Sequence, residues 1–312
     1  MPLPTAIMNW PAPISWVATM PWPANMYSGK YIKHRDDPPR KFASEEARME
    51  VLNRQVKPAA DVARILDEAQ VPNLLWGTMA AWLVGDWRHF NEDIQFLVLD
   101  HLIQKASDAL FAAGFTPCTD PGCDVVKTVN NDYLIPPVHF HVEALYPEHE
   151  VLRLYPKSSH LWWLPDFGAS APAADDPHLM LSNDPRFPPY VPEGMSGPWT
   201  EVYPIKVLNR SSFTEAALWL FCRDIDHANG LYFQWMDLVI VAKERPEGIT
   251  LPPRFQAMWQ EFTIPEEQRT RRRWDPMVDL VNEMRANNEL PPPPRINWFR
   301  TVEEAEREGC WF

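Results

Sequence analysis

Nothing in this chain approaches the roughly 20 consecutive apolar residues of a membrane helix, and the opening "MPLPTAIMNWPAPISW" has neither a basic start nor an apolar core of the signal-peptide kind. The expectation is a cytoplasmic protein with no membrane partner. Cysteine is scarce. The four present (Cys118, Cys123, Cys222, Cys310) are too few and too unevenly spaced for a disulfide framework. Basic charge is also short, with 29 Lys and Arg against 42 Asp and Glu, and a net charge of −13 argues against nucleic acid as a partner. The basic cluster "RTRRR" (Arg269 to Arg273) follows Glu266 and Glu267 and reads as a solvated helix face. With 11 Gly against 34 Pro, stiff connections are expected. What the chain has in quantity is apolar mass. A 46% apolar content with 15 Trp and 15 Phe requires a folded core.

Periodicity divides the chain. Residues 1–43 mix Pro, Trp and Met without a steady repeat and predict an extended arm. Ser44 is placed to cap "EEARMEVLNRQV", and "AADVARILDEAQ" puts Val62, Ile65 and Leu66 on one stripe, so two helices are expected. "NLLW" and "DIQFLVL" read as strands, "TMAAWLV" as a short helix, and "HLIQKASDALFAAG" as a helix capped by Asp100 and ended by Gly114. "VHFHVEAL" and "EVLRLY" complete the strands, which makes residues 44–165 an α+β unit with a mixed sheet flanked by helices. Nine prolines between Pro165 and Pro204 predict a proline-rich wall or lid over 166–205. A helical C-terminal region follows over 206–290. It opens on a capping box from Ser212 to Glu215 and includes "LYFQWMDLVIVAKE", apolar nearly all round and therefore a buried helix. Residues 291–312 form a tail.

"LLWGTMAAWL" followed by "NEDIQFLVLDHLIQKASDALFAAGF" and a strand of polar alternation resembles the nucleotidyltransferase superfamily, in particular a fungal branch with an altered Asp-x-Asp motif. About 80 residues carry the likeness, and its motifs are short. The resemblance implies a nucleotidyltransferase-like sheet in which a small Gly turn approaches phosphates and three carboxylates hold two Mg²⁺ ions. By position Gly77 and Thr78 match the turn, Asp93 the first acid, Gln95 the second, and Glu143, or His141 before it, the third. Gln95 is the departure, because a neutral amide removes one negative charge where two dications and a triphosphate must be held. Glu92 cannot replace it, since neighbours on a strand face opposite sides.

His139, His141 and Glu143 alternate onto one face of "HFHVE". With Asp93 they form a set that fits one transition metal, or a general acid and base without metal. The two thiols of "CTDPGC" have no second Cys or His pair at the usual zinc-finger spacing, so no metal is assigned from sequence. Lys157, after the last strand, is a candidate contact for an anionic group. Asp224 and His227 share a helical face as a possible acid and base, and Asp237 interrupts an apolar run and needs a partner or a cavity.

Three functions compete on these grounds. The preferred expectation is a repurposed enzyme with Asp93, Gln95, His141 and Glu143 catalytic and Gly77, Thr78, His139 and Lys157 binding substrate. It would act without cofactor on an apolar small molecule in a cyclase, isomerase or dehydratase step, and the resemblance points to fungal secondary metabolism. The alternatives are a nucleotidyltransferase using Mg²⁺ and ATP, and a noncatalytic binding protein. Oligomeric state is left open.

Overall fold

The computed structural model describes residues 44–85, 93–126, 134–189, 197–225, 231–264, 268 and 275–292. The expected arm, Glu92, "RTRRR", His227 and most of the tail lie outside these residues.

Helix α1 (Glu45–Glu68) is one continuous helix where two were expected. Ser44 caps it as anticipated, its side chain accepting from the Ala47 N–H at 3.2 Å. Pro58 lies inside it and forfeits one backbone hydrogen bond. Burial holds the helix together across that defect. Leu52, Val56, Ala59, Ala60, Val62, Ala63 and Leu66 are all buried and span both sides of Pro58.

Strand β1 (Asn73–Trp76) runs directly into helix α2 (Gly77–Val84), and every residue of both is buried. Strand β2 (Asp93–Val98) is followed by helix α3 (Ile103–Ala112). Gly114 at φ +100° ends that helix as expected. Asp100 does not cap it. Its carboxylate instead accepts from the Ser158 N–H at 3.0 Å and from the Ser158 hydroxyl, tying the two chain segments that leave the sheet.

Strands β3 (Val138–His141) and β4 (Val151–Pro156) complete a four-stranded mixed sheet in the order β1-β2-β4-β3. Only β2 and β4 are parallel; β1 with β2 and β3 with β4 are antiparallel. The chain is thus α+β with a mixed sheet, and β3 is an edge.

Strand β5 (Leu179–Leu181) pairs antiparallel with β6 (Lys206–Leu208), and Trp199 is buried edge-on against Trp82 at 6.4 Å. Helices α4 (Arg210–Asp224), α5 (Leu231–Lys243), α6 (Pro253–Thr263) and α7 (Asp275–Ala286) follow. The cap of α4 is Asn209, whose side chain accepts from the Ser212 N–H at 2.9 Å, so the helix begins three residues before the expected capping box. One hydrophobic core runs from Leu52 on α1 to Met284 on α7. Among the described residues no helix is long and apolar enough to cross a membrane.

Asp224 is not free for acid-base work. Arg223 grips it through two hydrogen bonds of 2.8 and 2.7 Å, Trp235 Nε1 donates to it at 2.6 Å, and Arg223 also donates to the Ser159 carbonyl. This buried group bolts α4 to α5 and to the turn after β4. Asp237 is half-buried on α5.

Candidate functional site

Strand period and register decide what shares the polar face of the sheet. In β2, Asp93 and Gln95 point one way and Ile94 and Phe96 the other. Register then sets Trp76 beside Gln95, Gln95 beside Arg153, and Arg153 beside His139, in one row across all four strands. A second row joins Asp93, Val151 and His141. Most of this face is under cover: Asp93, Gln95, Arg153 and His139 are buried, while His141 is exposed.

Asp93 is occupied. Arg153 donates to its Oδ2 from Nε at 2.9 Å and from Nη2 at 2.8 Å, and both side chains are almost wholly out of solvent. A carboxylate held this way has its charge cancelled within the fold, so it has little left for a dication. Sequence reasoning missed Arg153 because nothing local distinguishes it within "EVLRLY"; only the parallel pairing of β2 with β4 brings it to Asp93.

Gln95 sits over the Gly77 turn. Gly77 has φ +74°, and a Cβ built there would lie 2.7 Å from Gln95 Oε1 and 2.8 Å from its Cδ. The amide therefore fills the space above the turn. Among the described residues, Gln95 Nε2 and the Thr78 hydroxyl are buried without a hydrogen-bond partner, as is Trp76 Nε1. Buried donors of this kind are costly unless something supplies an acceptor.

This contact yields a stability prediction. Gly77→Ala forces an L-residue into the left-handed region and pushes a methyl into Gln95, which should lower unfolding free energy by about 2 kcal/mol in urea titration. Adding Gln95→Ala should recover only the steric part. Parent-like stability for Gly77→Ala would refute the close approach.

The other expected residues divide. Glu143 does not join the face: β3 ends at His141, and Glu143 lies exposed in the turn that follows. Lys157 is buried and turned along its own chain, donating to the Leu164 carbonyl and to Asp166 Oδ1 at 3.0 Å. His139 and His141 do come together, with ring centroids 5.5 Å apart. Their Nε2 atoms each lie 3.3 Å from Cys123 Sγ, and with Cys118 the four donor atoms all fall within 4.8 Å of one another. Burial, helped by His141 and Arg153, pulls the His139 imidazole down to about 4. Burial likewise pushes the Cys123 thiol up. Two thiols and two imidazoles at this separation are a donor set for a thiophilic cation. The sequence signal for it is C-x4-C-x15-H-x-H, which departs from zinc-finger spacing at both pairs.

A cleft of about 450 Å³ opens elsewhere, between Asp67, Tyr203, Lys206 and residues 169–171. It touches none of the expected site residues; within it Tyr203 donates to Asp67 at 3.0 Å, and Lys206 donates to the Gly168 and Ala169 carbonyls at 2.8 and 3.1 Å.

No protein family, curated protein or solved structure matches the chain.

Proposed function

We propose that this chain is a nucleotidyltransferase-like protein whose nucleotide site has been closed, and that its sheet face works on a small organic molecule without nucleotide or Mg²⁺. The observation that carries the reading is the occupation of both motif positions: Asp93 by Arg153, and the Gly77 turn by the amide of Gln95. A two-metal site needs several free carboxylate oxygens, and the third acid, Glu143, lies outside the strand.

The buried Gln95 amide and Thr78 hydroxyl supply neutral donors beside Gly77. Donors of that kind suit the carbonyl or hydroxyl oxygen of an uncharged substrate, and they polarise it without metal. The reaction classes that need only this are cyclisation, isomerisation and dehydration, in which positioning contributes much of the rate. The resemblance to a fungal branch adds a tailoring step of secondary metabolism as the biological setting. A scaffold role is less well supported, because the exposed large apolar side chains among the described residues are Phe111, Leu145 and Tyr203.

Thermal unfolding with and without millimolar ATP and Mg²⁺ tests the reading. A ligand at 100 times its dissociation constant stabilises the native state by about 2.7 kcal/mol. The expected result here is no shift. Restoring the acid with Gln95→Asp should not by itself create binding, because Arg153 still holds Asp93; Gln95→Asp with Arg153→Met should gain Mg²⁺ affinity. A clear magnesium-dependent nucleotide shift in the unaltered protein would overturn the proposal.

A further inference from the structure

We propose that Cys118, Cys123, His139 and His141 bind one Zn²⁺ ion in a closed tetrahedral site that staples the segment after α3 to the edge strand β3. The inference stands apart from the functional reading above, since it concerns the rim of the sheet rather than Gly77 and Gln95.

Local sequence builds each half of the site. In "CTDPGC", the Asp120 carboxylate accepts from the Gly122 N–H at 2.7 Å and the Asp120 carbonyl from the Cys123 N–H at 3.1 Å. Pro and Gly favour that reversal, which turns Cys123 back towards Cys118. The Cys118 N–H donates to the His139 carbonyl at 2.9 Å, and Pro117 bridges to Phe140, so the segment already lies along β3. His139 and His141, two apart on that strand, project to the same side. Neither half makes a site alone.

The distances fit the cation. Zn–S bonds of about 2.3 Å and Zn–N bonds of about 2.0–2.1 Å set tetrahedral S···N edges near 3.5 Å. The two Cys123 Sγ to Nε2 separations are 3.3 Å, and no pair of the four donors exceeds 4.8 Å. Sulfur donors disfavour Mg²⁺ and Ca²⁺ and favour Zn²⁺. On binding, both thiols release their protons to solvent, and two thiolates cancel the charge of the ion. Four protein donors leave no open position for a reacting water, which makes the site structural. Its mechanical role follows from topology. The edge strand β3 is held on one side by β4 and gains on the other a covalent-strength tie to the chain that precedes it.

The test is metal content and cobalt substitution on the full chain purified under reducing conditions. The expected results are one Zn²⁺ per chain by elemental analysis, and with Co²⁺ a blue-green tetrahedral spectrum with sulfur-to-cobalt charge transfer. His141 is exposed, so His141→Ala should fold and lower Zn²⁺ affinity by at least about 100-fold, beyond the loss typical of a supporting neighbour. Cys123→Ser should weaken the charge-transfer band by about half or more, and Cys118→Ser together with Cys123→Ser should abolish it. Glu143→Ala should leave metal content unchanged. A chain that takes up neither Zn²⁺ nor Co²⁺ while reduced, a pink octahedral cobalt spectrum, or loss of metal from Glu143→Ala with retention by Cys123→Ser would each overturn the proposal.

Discussion

Arg153→Met is expected to lower the unfolding free energy by about 3–5 kcal/mol, the usual result of removing one partner from a buried ion pair. The cost arises because Asp93 stays in a site shielded from solvent after losing two short hydrogen bonds from Arg153. Long apolar methionine restores much of the guanidinium's volume, so packing contributes little to the change. Adding Asp93→Asn should return a large part of the loss, since the remaining amide carries no charge to strand. Chemical denaturation of the two single variants and the double variant gives the coupling directly. A loss below about 1 kcal/mol for Arg153→Met would mean that the pair is not the electrostatic centre of this face, and the argument that Asp93 is withdrawn from metal binding would fall with it.

The second large effect is on acid stability. His160 is fully buried among Trp76, Tyr155 and Trp235, with ring centroids at 5.4, 4.9 and 5.6 Å, and Ser159 Oγ lies 2.7 Å from its Nδ1. Burial, reinforced by the Arg223 guanidinium, holds its value well below the ordinary 6.5. His149 is buried as well, with Nε2 donating to the Gln55 carbonyl at 2.8 Å; burial lowers it, against smaller upward pulls from that carbonyl and from Glu148. Both imidazoles are therefore neutral in the native state at pH values where the unfolded chain protonates them. Stability is complete above about pH 6.5 and falls as pH drops from there towards the folded values. Each group contributes a slope of up to about 1.4 kcal/mol per pH unit, and His139, lowered to about 4 chiefly by burial, adds a third contribution of the same sign. Asp184 and Glu289, lowered chiefly by hydrogen bonds from Arg186 and Arg254, lose their contributions only in the more acidic carboxylate range. Glu215, raised by burial, acts in the opposite sense between 4.5 and its folded value. Urea titrations at pH 7.5, 6.5 and 5.5 should show the decline, and His160→Gln should make it shallower by that residue's share, up to about 1.4 kcal/mol per pH unit. An unfolding free energy constant across that range would refute the neutral, buried assignment.

The elements that carry the site were readable where periodicity is strong. "NLLW" and "DIQFLVL" are strands because apolar, β-prone residues fill them, and "LYFQWMDLVIVAKE" is a central helix because it is apolar on nearly every side. Local rules misled where burial outweighed them. Two helices were expected where α1 is one, and the buried stripe on both sides of Pro58 keeps it whole. Asp100 and Ser212 looked like caps; Asp100 is drawn away by Ser158, and Ser212 is the residue Asn209 caps. Alternation along "HFHVE" placed His139 and His141 correctly on one face but carried Glu143 with them, although pairing with β4 stops at His141.

By itself the sequence determined the chemistry available: a neutral amide two residues after Asp93, two thiols around a Pro-Gly turn, two imidazoles at positions 139 and 141, and enough apolar mass for a core. Tertiary structure alone decided which groups meet. Arg153 reaches Asp93 across 60 residues of chain and Cys123 reaches His139 across 16. Helical and strand periods report only which side of an element a residue occupies, whereas strand order and register, set by packing of the whole core, choose its neighbours.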